Sequence, residues 1–207
     1  MKRLLALIAL TLSICVAGAL AQQKRGMTLE DVLALKSVAD AQVSPDGKWV
    51  AYVVTSADMK ENANDADVWL VSTAGGEPVR LTTNKKNDTQ PRWSPDGKRI
   101  AFVSSREEKP QIFLISPFGG EAEKLTDSKS GVQSFQWSPD GNRIAYVAQQ
   151  EPTPDEEKKL KDKDDAQVID KNFKLARIWV IEVNSKKAVE VVKGEYNASD
   201  PQWSPDG

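Results

Sequence analysis

The four letters SPDG occur at 44–47, 94–97, 138–141 and 204–207, and their spacing limits the possible folds more than any other feature of the chain. Three stretches fall into register with them: Val68-Trp69-Leu70-Val71, Ile112-Phe113-Leu114-Ile115 and Ile178-Trp179-Val180-Ile181. Trp69, Phe113 and Trp179 each precede the serine of the next SPDG by 25 residues. Counted forward from Ser44, Ser94 and Ser138 to the same aromatic positions, the distances are 25, 19 and 41. All variation in length therefore falls in one connection, as in a fixed structural unit that takes insertions at a single loop.

Each unit reads as four short strands. The runs after the turn, Trp49-Val50-Ala51-Tyr52-Val53-Val54, Ile100-Ala101-Phe102-Val103 and Ile144-Ala145-Tyr146-Val147, are β-branched and aromatic, which predicts strands buried on both faces. The aromatic-centred stretches form a second strand. Gly75-Gly76-Glu77 and Gly119-Gly120-Glu121 then reverse the chain into a third, half-exposed strand at Val79-Arg80-Leu81-Thr82 and Glu123-Lys124-Leu125-Thr126. The third copy, Val189-Glu190-Val191-Val192, lacks the glycines. A fourth strand is expected to lead into the next motif through Pro91-Arg92-Trp93, Phe135-Gln136-Trp137 and Pro201-Gln202-Trp203.

Four-stranded units of this length predict an all-β fold, a β-propeller of antiparallel blades. The chain is expected to hold three blades, at about 40–90, 91–134 and 135–200, and the start of another at 201–207. The propeller would be incomplete, the chain being an N-terminal piece of a longer protein. The tryptophan before SPDG is expected to fill the space between blades, with Val43 in its place in the first copy. Ahead of the blades, residues 22–39 form a lead-in with a short helix, where Thr28 and Asp31 have the spacing of a capping box.

Lys2 and Arg3 followed by an apolar run ending in Ala19-Leu20-Ala21 have the order of a signal peptide, predicted over 1–21 with cleavage after Ala21. The expected location is periplasmic or secreted, without membrane attachment after cleavage. Cys15, the only cysteine, lies within this segment. Twenty-eight Lys and Arg against 30 Asp and Glu give a net charge of −2, which supplies no basic field for nucleic acid.

The chain contains no histidine, so neither a Ser-His-Asp triad nor a Cys-His pair can be assembled from it, and a His- or Cys-ligated zinc site is excluded. No cofactor, metal or catalytic residue is assigned. Glu107-Glu108, Glu156-Glu157 and Asp164-Asp165 read as solubilising pairs, while Asp46, Asp96, Asp140 and Asp206 have a sufficient role in their turns. The charged insertion at 151–172 reads as a solvated loop, or as a flap over a substrate or second domain. Asn87-Asp88-Thr89 and Asn197-Ala198-Ser199 match the glycosylation triplet, which matters only where exported proteins are glycosylated.

Trp93-Ser94-Pro95-Asp96-Gly97-Lys98-Arg99-Ile100-Ala101-Phe102 resembles the PD40 (TolB-type) propeller repeat. The lead-in MTLEDVLALKSVADAQVSPDGKWVAYVV at 27–54 is similar to the start of secreted prolyl oligopeptidase-family (S9) serine peptidases of the acylaminoacyl- and dipeptidyl-peptidase group. DDAQVIDKNFKLARIWVIEV at 164–183 is similar to the same group. This resemblance implies a substrate-gating propeller that admits short peptides. Its partners would be a peptide substrate and a C-terminal α/β-hydrolase domain of the same polypeptide carrying the nucleophile, acid and base. The alternative is a non-enzymatic TolB-like periplasmic propeller that binds proteins.

Overall fold

A computed structural model describes residues 25–162 and 173–207. The predicted signal peptide, Cys15 and the Asp164-Asp165 pair lie outside these residues. Two compact units divide the chain, Met1–Leu35 and Lys36–Gly207. The described part of the first holds a short helix, α1 (Leu29–Leu33), with the expected capping box. The Asp31 backbone N–H donates to Thr28 Oγ1 at 3.3 Å, and Asp31 Oδ2 accepts from the Thr28 N–H at 2.9 Å. No described helix is long and apolar enough to cross a membrane.

The second unit contains three four-stranded antiparallel sheets, each built from consecutive strands. The first comprises β1 (Ser37–Val43), β2 (Trp49–Asp58), β3 (Ala63–Ser72) and β4 (Val79–Arg80). The second comprises β5 (Asp88–Trp93), β6 (Ile100–Ser104), β7 (Gln111–Ile115) and β8 (Glu123–Lys124). The third comprises β9 (Val132–Trp137), β10 (Arg143–Gln149), β11 (Ala176–Glu182) and β12 (Ala188–Glu190), with helix α2 (Pro154–Lys161) inserted between β10 and β11. These are the predicted propeller blades, with one difference in phase. The strand ahead of SPDG opens its own blade instead of closing the one before. Val43 pairs with Val50, Trp93 with Ile100 and Trp137 with Ile144, so SPDG is the turn of a hairpin within one sheet. Sequence spacing could not distinguish the two phases, because the strand lies between two connections of nearly constant length.

The turn explains its own letters. Gly47, Gly97 and Gly141 donate back to the carbonyls of Ser44, Ser94 and Ser138 at 2.8–2.9 Å, closing a four-residue turn whose last position needs positive φ. Asp46 Oδ1 accepts from Ser44 Oγ and the Lys48 N–H, and Asp96 accepts from Ser94 and Lys98 in the same way. The serine and the aspartate therefore act on backbone groups, as expected. Ser138 and the Asn142 N–H hold the Asp140 carboxyl down to about 2.

Between blades the tryptophans make a repeated contact. Trp93 Nε1 donates to the Gln42 carbonyl of the preceding blade at 3.0 Å, Trp137 to Arg92 at 3.1 Å, and Trp203 to Gln136 at 3.3 Å. Two apolar clusters fill the spaces between sheets. Ala51, Val68 and Leu70 pack against Ile100, Phe102 and Phe113, while Val103, Ile112 and Leu114 pack against Trp137, Ile144 and Tyr146. Of the runs after SPDG, Ile100–Val103 in β6 and Ile144–Val147 in β10 are buried throughout, as expected, whereas in β2 only Ala51 and Val53 of Trp49–Val54 are, because among the described residues only one face of the first sheet is covered by another blade. The last strands of the first two sheets, β4 and β8, are shorter than expected, because the chain turns inward after two residues to bury Thr82, Leu125 and Thr126.

Candidate functional site

In a sheet ordered first to fourth strand, the first-to-second and third-to-fourth connections share one end, and the second-to-third connections lie at the other. The SPDG end is nearly uniform, whereas the opposite end carries all the length variation. There β2 and β3 extend into a long hairpin, β6 and β7 are joined by a short turn, and β10 and β11 by the insertion. Insertions confined to one face of a repeat array mark the face free to acquire a binding role. This loop face and the inner edge of the blades form the candidate site.

The inner edge is polar. At four residues before the SPDG serine, Asp40, Gln90 and Asp200 adopt positive φ of 49°, 55° and 50° without being glycine. In β1 and β5 the position lies at a break in register, which turns the side chain towards the next blade. Asp40 accepts a two-pronged contact from Arg92 Nη1 at 2.8 and 2.9 Å. Gln90 Nε2 donates to the Gln133 carbonyl at 2.9 Å, and Gln136 Nε2 to Gln202 Oε1 at 3.2 Å. Successive blades are thus tied along their inner strands by half-exposed polar groups. Sequence reasoning missed this row; the shared offset of Asp40, Gln90 and Asp200 from SPDG was its available signal.

On the loop face α2 is held in place. Thr153 and Glu156 form a capping box, with the Thr153 N–H donating to Glu156 Oε2 at 2.7 Å. Lys174 also contacts Glu156, and together these hold the Glu156 carboxyl down to about 2, the lysine contributing most. Lys129 reaches from the connection between β8 and β9 to Glu157 at 2.7 Å, lowering that carboxyl as well. The first half of the insertion is therefore a capped, anchored helix and not an open loop. It borders an open groove of about 650 Å³ lined by Glu107, Glu108, Lys109, Lys129, Glu157 and Lys161. Of the acidic pairs that are described, Glu107, Glu108 and Glu157 line this groove, while Glu156 is taken up by Lys174 and the helix cap.

Three buried polar positions pin the loop face from below. Asp67, Gln111 and Arg177 each stand two residues before the blade's aromatic and are almost fully buried. Burial pushes the Asp67 carboxyl up, against the downward pull of Arg80. Asp88, wholly buried, is held by Arg106 Nη2 at 3.0 and 3.3 Å, and the Arg106 guanidinium lies 4.4 Å from the Phe113 ring centre. The two glycosylation-type asparagines have a structural role: Asn87 Oδ1 accepts from the Ala66 N–H at 3.1 Å, and Asn197 Oδ1 from the Ala176 N–H at 2.9 Å. In blade 2 the corresponding strand residue is Pro110, which has no N–H, and Gly131 replaces the asparagine. Among the described residues no three Asp, Glu, His or Cys side chains gather as a metal site.

Residues 62–177, more than half of the chain, match the family described as the tricorn protease N-terminal β-propeller domain. The chain belongs to this family. As a tricorn-type propeller, it is related to peptidases. It is 39% identical over 84 residues to the uncharacterized peptidase YuxL of Bacillus subtilis, a match covering 41% of this chain and 13% of that protein. It is 35% identical over 79 residues to dipeptidyl-peptidase 5 of Porphyromonas gingivalis, covering 38% and 12%. The structure of a TolB from Agrobacterium tumefaciens superimposes with a TM-score of 0.54 at 26% identity, covering 80% of this chain and 53% of that one. The tricorn-type propeller thus spans only a small part of the curated relatives it matches, and the resemblance to peptidases, a dipeptidyl-peptidase among them, stands.

Proposed function

We propose that this chain is the substrate-gating propeller of an exported serine peptidase that hydrolyses short peptides. Its catalytic partner would be an α/β-hydrolase domain of the same polypeptide. The observation that carries the reading is the similarity to YuxL and to dipeptidyl-peptidase 5, at 39% and 35% identity, both named as peptidases. The absence of histidine from the chain fits a division of labour in which another domain supplies nucleophile, base and oxyanion hole. The propeller's part is access. An inner edge lined by Asp40, Arg92, Gln90 and Gln136 offers hydrogen bonds to an extended peptide, and a rigid ring of blades excludes folded proteins. The apolar segment ending in Ala19-Leu20-Ala21 supports export to the periplasm or medium, with no membrane or nucleic-acid partner.

The 26% identity to a TolB across four-fifths of the chain favours a second reading, a non-enzymatic propeller that binds other proteins. One experiment separates the two. The full-length protein is treated with a fluorophosphonate probe and assayed on short blocked peptide anilides and on a folded protein. The peptidase reading expects covalent labelling and cleavage of the peptides alone. A native preparation that neither labels nor cleaves leaves the binding reading.

A further inference from the structure

We propose that the SPDG end carries a binding site for an arginine side chain presented by a partner peptide, in the cleft between blades 1 and 2. The inference is independent of the peptidase reading and concerns the opposite end of the blades. A cavity of about 350 Å³ opens there, lined by Pro45, Asp46, Trp49, Trp93, Asp96 and Phe118.

The repeat itself indicates the ligand. Five residues after the SPDG serine stand Trp49, Arg99 and Arg143; immediately before the serine stand Trp93, Trp137 and Trp203. At the third junction the Arg143 guanidinium lies over the Trp203 ring, 4.8 Å from its centre; at the second, Arg99 makes no such contact with Trp137 among the described residues. At the first junction the arginine position is Trp49, so Trp93 has no guanidinium from that position. A cavity flanked by a second indole takes its place.

Phe118 adds a third ring. Its turn is the same as that of blade 1: Gly119 and Gly75 both donate to a serine carbonyl at 3.0 Å, and Phe118 stands where blade 1 has Ala74. The turn therefore does not require an aromatic residue, yet Phe118 is 87% exposed beside the cavity. Asp46 and Asp96 supply the opposite charge; each keeps its carboxyl low by accepting from its serine and from a backbone N–H. Among the described residues their outer oxygens are approached by the exposed ammonium groups of Lys48 and Lys98, at 3.7 Å. A planar guanidinium suits this lining, since it stacks on aromatic faces and pairs with carboxylates through a two-pronged fork.

The test titrates the isotope-labelled full chain with the peptide Ac-Gly-Arg-Gly-NH2 and with its uncharged citrulline counterpart, following the indole N–H signals of Trp49 and Trp93. The arginine peptide is expected to shift both saturably, and the citrulline peptide to leave them unmoved. Phe118→Ala, which restores the residue of blade 1, should weaken binding roughly tenfold. Trp49→Arg, which restores the repeat's own guanidinium, should abolish it. Absence of a saturable shift up to about 10 mM peptide, equal shifts from both peptides, or undiminished binding by Trp49→Arg in a folded chain would overturn the proposal.

Discussion

Replacing Arg106 with methionine isolates the energetic role of one buried charge. The Asp88 side chain is 0% exposed, and both its oxygens take their hydrogen bonds from Arg106 Nη2. Methionine puts an apolar group of similar reach beside Phe102 and Phe113, where the guanidinium lay, but leaves the carboxylate without a partner. Breaking a buried pair in this way costs about 3–5 kcal/mol. Arg106 is 21% exposed, so water can reach the emptied place, and the lower end, about 3 kcal/mol, is expected. For a chain of 207 residues this corresponds to a fall in Tm of about 6–12 °C. Urea unfolding of the full chain, followed by circular dichroism, measures the loss. Adding Asp88→Asn removes the stranded charge and should recover about 1–2 kcal/mol. A loss below about 1 kcal/mol, or a double variant no more stable than Arg106→Met alone, would refute the assignment of Asp88 as a buried ion held by Arg106.

Three further outcomes are expected. Gly131→Ala should destabilise by about 1–3 kcal/mol in the same assay, because φ is +81° and the new Cβ would meet Pro110 Cδ at 2.9 Å. Asn87→Ala, which removes the bond to Ala66, should lose about 1 kcal/mol; a loss below about 1 kcal/mol for Gly131→Ala would contradict its close approach to Pro110. The Asp140 carboxyl is lowered from 3.8 to about 2, so it stabilises the fold above the unfolded value and the contribution is lost as pH falls through about 4 to 2. The urea midpoint of the wild-type chain should exceed that of Asp140→Asn at pH 6, and the gap should close by pH 2; a gap unchanged at pH 2 argues against it.

The repeat made the blades legible because hydrophobic runs and turn letters recur at fixed offsets, and each carries its own physical cause. Serine, aspartate and glycine in SPDG all serve the turn in which they stand, so local chemistry was enough to assign them. The strand phase was not legible, since Pro91-Arg92-Trp93 is equally suited to ending one sheet or beginning the next; only the pairing of Trp93 with Ile100 decides. The candidate site was harder still. Arg92 and Asp40 are 52 residues apart in the chain and meet only because blades pack side by side. Likewise the charge run after Glu151 contains the capping pair Thr153 and Glu156, but its anchoring depends on Lys129 from the connection between β8 and β9. Asn87, Gly131 and Asn197 show the opposite case: their shared offset from SPDG, set against Ala66, Pro110 and Ala176, states the structural reason within the sequence itself.

The indole bonds that join the blades end on main-chain carbonyls, those of two glutamines, Gln42 and Gln136, and of an arginine, Arg92. A carbonyl is common to every residue, so the bond asks nothing of the neighbour's identity. This bond alone would let a blade bearing its tryptophan follow any other, whereas the inner-edge pairs, such as Arg92 on Asp40, call for a matching residue next door. The order of blades is thus a matter for the inner edge and not for the indole joint.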